Sequence, residues 1–106
     1  MIVELTTVRI RPADRARFHT AFTDAAAIYQ QARGWHSARL LRCLQDETRY
    51  VIEATWEHVE DQTVRFAEDG LLARFLDLVG SLFDGTPELL HFEPVGTDLR
   101  RTKTGG

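Results

Sequence analysis

A single cysteine, Cys43, is all that this chain of 106 residues holds, which excludes an intrachain disulfide and a thiolate cluster for zinc or iron-sulfur ligation. Its four histidines, His19, His36, His58 and His91, show no H-x-H or H-x-x-x-H spacing, so no metal site is expected. No run approaches the roughly 20 apolar residues of a membrane span. The start, Met1, Ile2, Val3, Glu4, lacks the basic and apolar regions of a secretory signal, and a cytoplasmic protein with no membrane partner is expected. Positive charge is also scarce. A formal net charge of -3 supplies no basic face to release counterions, which argues against nucleic acid as a partner. Only Arg100, Arg101 and Lys103 make the tail locally basic.

What is present is ordinary globular material, 43% hydrophobic and 27% charged, of one-domain length. The domain is expected over residues 1–95, with 96–106 as a flexible basic tail. From Ile2 to Ile10 the chain alternates, with Val3, Leu5 and Thr7 on one face and Ile2, Glu4, Thr6 and Val8 on the other, as in a strand. Pro12 suits a first helical turn, and Phe18, Phe22, Ala25, Tyr29 and Ala32 then recur at helical steps. Gly34 is placed to end that helix in a left-handed conformation.

Trp35 to Gln45 and Arg49 to Glu57 read as a hairpin around a tight turn at Asp46 to Thr48. In its second strand Tyr50, Ile52, Ala54 and Trp56 form one apolar side, suited to lie under helices, while Val51, Glu53 and Thr55 face the other way. The acidic start Glu57, Glu60 and Asp61 opens a short helix to about Glu68. Asp69 and Gly70 interrupt it. A further helical piece carries Leu72, Phe75, Leu76, Val79, Leu82 and Phe83 before Gly85 and Pro87 stop it. Glu88 to Val95 makes a last strand.

This β-α-β-β-α-β order predicts an α+β, ferredoxin-like fold with an antiparallel four-stranded sheet and both helical segments on one face. The opposite face, with Val51 and Leu5 or Leu41, is too apolar to remain wet. A domain this size buries only about two-thirds of its unfolded surface. A homodimer pairing two sheets into a dimeric α+β barrel is the expected remedy.

At these residues the chain resembles the antibiotic biosynthesis monooxygenase superfamily of dimeric α+β barrels. The likeness covers about residues 2 to 95. It rests on element order, on Gly34-Trp35 where the family commonly has "PGF" or "PGW", on Thr55-Trp56-Glu57 closing the third strand, and on the final His91-Phe92 strand. It implies a hydrophobic cavity in each subunit that binds an apolar or aromatic small molecule. In active members it implies cofactor-independent oxygenation of an aromatic or polyketide-type substrate. Trp56 is then the stacking wall for a planar ligand, with Ile52, Phe22 and Phe75 as further candidate contacts, and His91 and Tyr50 are the candidate proton handlers.

Departures from the family pattern narrow that reading. Members acting on anthrones have an asparagine four residues before the tryptophan, whereas this chain has Ile52 there and no asparagine anywhere; an isoleucine cannot hydrogen-bond an oxyanion. Haem-degrading relatives need an axial histidine after the third strand, yet none lies between Val59 and Leu90. No cofactor is expected. A non-catalytic binding protein and a polyketide cyclase or isomerase stand as alternatives. Glu53, mid-strand on the far face, needs an arginine, a water or a raised pKa to be tolerated; Arg9, Arg39 and Arg49 are the candidate partners, and an interchain pair is expected rather than a catalytic base. His58 stands where the family has a capping serine or threonine.

Overall fold

Alternation and helical periodicity resolve into one layer of sheet and one of helix in the computed structural model, which describes residues 1–102. Strand β1 (Ile2–Arg9) runs into a 3-10 turn (Pro12–Asp14) and helix α1 (Arg15–Tyr29). The hairpin β2 (Trp35–Arg42) and β3 (Arg49–Trp56) follows. The return is a π-helical turn (Asp61–Arg65), α2 (Phe66–Glu68), α3 (Leu71–Val79), a 3-10 turn (Gly80–Leu82) and β4 (Glu88–Phe92). The sheet order is β2-β3-β1-β4, with every neighbouring pair antiparallel. This is the expected ferredoxin-like α+β arrangement.

The two sides of β3 sort the molecule. Tyr50, Ile52, Ala54 and Trp56 are each at most 2% exposed and lie under α1 and α3, whose Phe18, Phe22, Ala25, Tyr29, Phe75 and Val79 complete the core. Fully burying each large apolar side chain contributes roughly 1.5–3 kcal/mol. On the far side Val51 pairs with Leu41 and Thr7, and Glu53 with Arg39 and Leu5. Glu53 finds its cation within the same chain, as Arg39 Nε and Nη2 donate to its carboxylate at 3.0 and 3.4 Å.

Element ends depart from the expected boundaries for local reasons. Helix α1 stops at Tyr29 and not beyond Ala32. Gln31 and Ala32 bond back to the carbonyls of Ile28 and Tyr29, so the chain unwinds through tighter i to i-3 turns before Gly34 takes φ +76°. Gly34 still cannot be replaced freely, because a Cβ there would run into the Asp61 carboxylate.

β2 ends at Arg42, and Asp46 shapes a longer connection by accepting from Thr48 N–H at 3.0 Å and Thr48 Oγ1–H at 2.6 Å. β4 ends at Phe92, two residues before Pro94, which has no N–H to continue a ladder. No helix or strand forms from Glu93 to Thr102; the remainder of the expected tail, Lys103 included, lies outside the described residues. No helix among those residues is long and apolar enough to cross a membrane.

Candidate functional site

Strand parity carries Glu4 and Thr6 of β1 to the helix-covered side, next to Ile52 of β3 and Leu89 of β4. Between them and the helical layer lies a cavity of about 160 Å³. Tyr29 of α1, Gln62 of the π-helical turn, Phe66 of α2 and Phe75 of α3 form its roof. Leu76 and Leu89, each 43% exposed, stand where it opens. Most of this wall is apolar, but its inner end is not.

Glu4 is only 5% exposed. Trp56 Nε1–H donates to its Oε1 at 3.0 Å and Thr6 Oγ1–H to its Oε2 at 2.6 Å. Burial pushes the Glu4 carboxyl above the usual carboxylate range, opposed by those two bonds and by the nearby His91. Tyr29 is held protonated well beyond an ordinary phenol, first by burial and then by the negative charge of Glu4. A carboxylate of raised proton affinity thus shares the cavity wall with a phenol that stays protonated.

The residues singled out from sequence divide between this cavity and other places. Ile52 and Phe75 line it. Trp56 is fully buried behind Glu4, with its ring edge toward Tyr29 and Phe66 at 6.1 and 5.5 Å between centroids; it meets the site through the carboxylate it binds. Phe22 packs in the core beside Phe18, away from the lining. His91 sits opposite Glu4 across the β1–β4 ladder, and its Nε2 lies 2.7 Å from Gln62 Oε1, so it borders the cavity at one remove.

Tyr50 lies elsewhere. Six residues along β3 from Trp56 is roughly 20 Å, and there its hydroxyl is bonded to His19 Nε2 at 2.8 Å. Among the described residues no group of three or more His, Cys, Asp and Glu is placed to hold a metal ion.

Glu4, Thr6, Tyr29 and Gln62 are the polar wall residues that sequence reasoning left out. The signal for Glu4 was available, since it shares a face with Val8, and Val8 is core. Tyr29 read as one more stripe residue of α1. The helix opening above Gln62 is capped from within: Asp61 Oδ2 accepts from the His58 N–H at 3.0 Å, the carboxylate half of a capping box, which supplies what His58 itself does not.

Comparison with known proteins agrees with this architecture. A protein of Bordetella bronchiseptica assigned to the antibiotic biosynthesis monooxygenases superposes with a TM-score of 0.85 at 28% identity, over 89% of this chain and 96% of that one. SnoaB, a cofactor-independent oxygenase from Streptomyces nogalater, superposes with a TM-score of 0.73 at 23% identity, over 91% and 94%, and shows the shared fold. The uncharacterised YczJ of Bacillus subtilis is 25% identical over 95 residues, covering 90% of this chain and all of the relative. The family model for antibiotic biosynthesis monooxygenase matches residues 1–69, from β1 through α2 with Glu4, Trp56 and Gln62 inside it, and the chain belongs to that family.

Proposed function

We propose that the cavity binds a small aromatic molecule with an acidic C–H or O–H and that the protein oxygenates it without a cofactor. The observation that carries this reading is an apolar chamber with one buried carboxylate at its inner end. Volume limits the ligand: a cavity of about 150 Å³ holds a benzene-sized guest, so about 160 Å³ suits one ring with a short side chain. In the reaction a methylene next to a carbonyl loses a proton, and the carbanion passes electrons to dioxygen. One oxygen atom stays on that carbon as a new carbonyl and the other leaves as water. Ile52 and Phe75 serve as walls, Trp56 fixes the carboxylate, and His91 acts through Gln62. The working unit is a homodimer closed over the uncovered sheet face, in a reducing compartment such as the cytoplasm that suits the lone Cys43.

Phenylacetone tests this reading, because its methylene is flanked by a ring and a carbonyl. Saturable binding by ligand-observed NMR, with dioxygen uptake and formation of the 1,2-diketone, is the expected result. A second reading, proton transfer without oxygenation as in an isomerase or cyclase, is favoured by the same buried carboxylate. Binding without dioxygen uptake decides for it, or for a purely binding protein.

A further inference from the structure

We infer that Glu4 is the group that removes the proton in this cavity and that Tyr29 holds the oxygen on which the resulting negative charge settles. The inference rests on the cavity reading above and adds which atoms act.

Four observations carry it. Glu4 is the one carboxylate among the lining residues, and it is almost fully buried. Each of its oxygens accepts one hydrogen bond, from Trp56 and from Thr6; an ionised carboxylate has about four lone-pair sites, so both oxygens keep capacity for a substrate proton. The two donors come from rigid strands and hold the carboxylate in one orientation, which makes Trp56 and Thr6 positioning residues. Across the cavity the Tyr29 hydroxyl makes no hydrogen bond among the described residues and is free to donate to a ligand oxygen. His91 and Tyr50 are less well placed. Gln62 stands between His91 and the cavity, and the Tyr50 hydroxyl is occupied by His19 at the other end of the sheet.

The step balances without any further reagent. Glu4 takes the proton from the carbon between ring and carbonyl. The C–H electron pair becomes the C=C bond of the enolate, the carbonyl π pair moves to oxygen, and that oxygen accepts the Tyr29 O–H. Burial favours the direction, since the shift of Glu4 above the ordinary carboxylate range makes it a stronger base than a surface glutamate.

Exchange of the phenylacetone methylene protons in D2O, followed by NMR under nitrogen, tests the step apart from oxygenation. Wild type is expected to speed deuterium incorporation. Glu4→Gln should bind phenylacetone and lower the enzymatic exchange by about 10²-fold or more, the usual contribution of a positioned base. Tyr29→Phe should lower it by roughly 10²-fold, as for loss of one oxyanion donor. Glu4→Asp, which keeps the charge and withdraws it by one methylene, should fall between wild type and Glu4→Gln, and it guards against a variant that merely misfolds. Bound phenylacetone exchanging equally fast in wild type and Glu4→Gln would overturn the inference and leave the cavity reading standing. Failure of phenylacetone to bind wild type would remove both.

Discussion

A carboxylate under a sheet is costly unless something holds it, and Glu4 is held by an indole and a hydroxyl rather than by a cation. That choice leaves a measurable trace in stability. Because burial raises the Glu4 pKa in the fold above its unfolded value, its contribution is fully present below the unfolded value and is lost as pH rises through the folded one. Glu4→Gln has no such titration. The stability of the variant relative to wild type, from urea melts at several pH values, is therefore expected to increase from mildly acid to neutral pH; a pH-independent difference would mean that Glu4 is not desolvated. Tyr50 offers the opposite case. Its hydroxyl bonds His19 at the sheet's far end, so Tyr50→Phe should lose about 0.5–1.5 kcal/mol of stability, the net worth of one hydrogen bond, and leave phenylacetone exchange untouched.

At the scale of elements, the junction where β2 begins and the return helix begins is built as one piece. Gly34 carries φ +76° with its carbonyl accepting the Glu57 N–H at 2.7 Å, and the Asp61 carboxylate that caps the helix at His58 fills the space a side chain would need. Gly34→Ala is expected to cost more than the roughly 1 kcal/mol of backbone conformation alone. In an Asp61→Ala background the same change should cost less, a non-additivity that a double-mutant cycle in denaturant would register; full additivity would mean that the two positions do not compete. This junction also marks how far the sequence could be read. The Gly34-Trp35 step, the apolar side of β3 and the break at Asp69-Gly70 were legible because each is a local signal: a left-handed turn, a period of two, a helix stop. The Asp61 cap was missed because the expectation looked for a capping side chain at His58, and the carboxylate reaches back from three residues later. Glu4 was legible only jointly. Its parity with Val8 follows from β1 alone, but that this parity is the covered side depends on β3 and the helices above it. Tyr50 and Trp56 share a face, as their spacing says, yet face-sharing says nothing about distance along the strand, and six residues separate two different environments.

The whole molecule has one covered sheet face and one that is not. On the uncovered side Val3, Leu5, Val51 and Leu41 stand with Leu90 and Phe92 of β4, and the last three named here, Leu41, Leu90 and Phe92, are 38%, 49% and 47% exposed. Strands about 4.8 Å apart, three of eight residues and one of five at about 3.3 Å per residue, make a face of roughly 460 Å² in projection. That is the same order as the about 800 Å² of accessible surface each partner gives to a standard interface. Two polar pairs on this face are already made within the chain, Glu53 with Arg39 and Thr55 with Ser37 at 2.6 Å, so a second sheet can cover them without separating their partners. Val51 sits between Thr7 and Leu41 in the middle of this layer. Val51→Asp would place one carboxylate per protomer against apolar side chains, with no cation opposite, at a cost of several kcal/mol. Sedimentation velocity is expected to show a dimer for wild type and a monomer for Val51→Asp, with the circular dichroism of the fold retained because the substituted side chain lies outside the core. Since the cavity lies on the other face, phenylacetone binding should survive in the monomer at the affinity of the dimer. A wild-type protein that stays monomeric at every concentration would show that this face tolerates water, and the apolar side chains of β1 and β4 would then need another explanation.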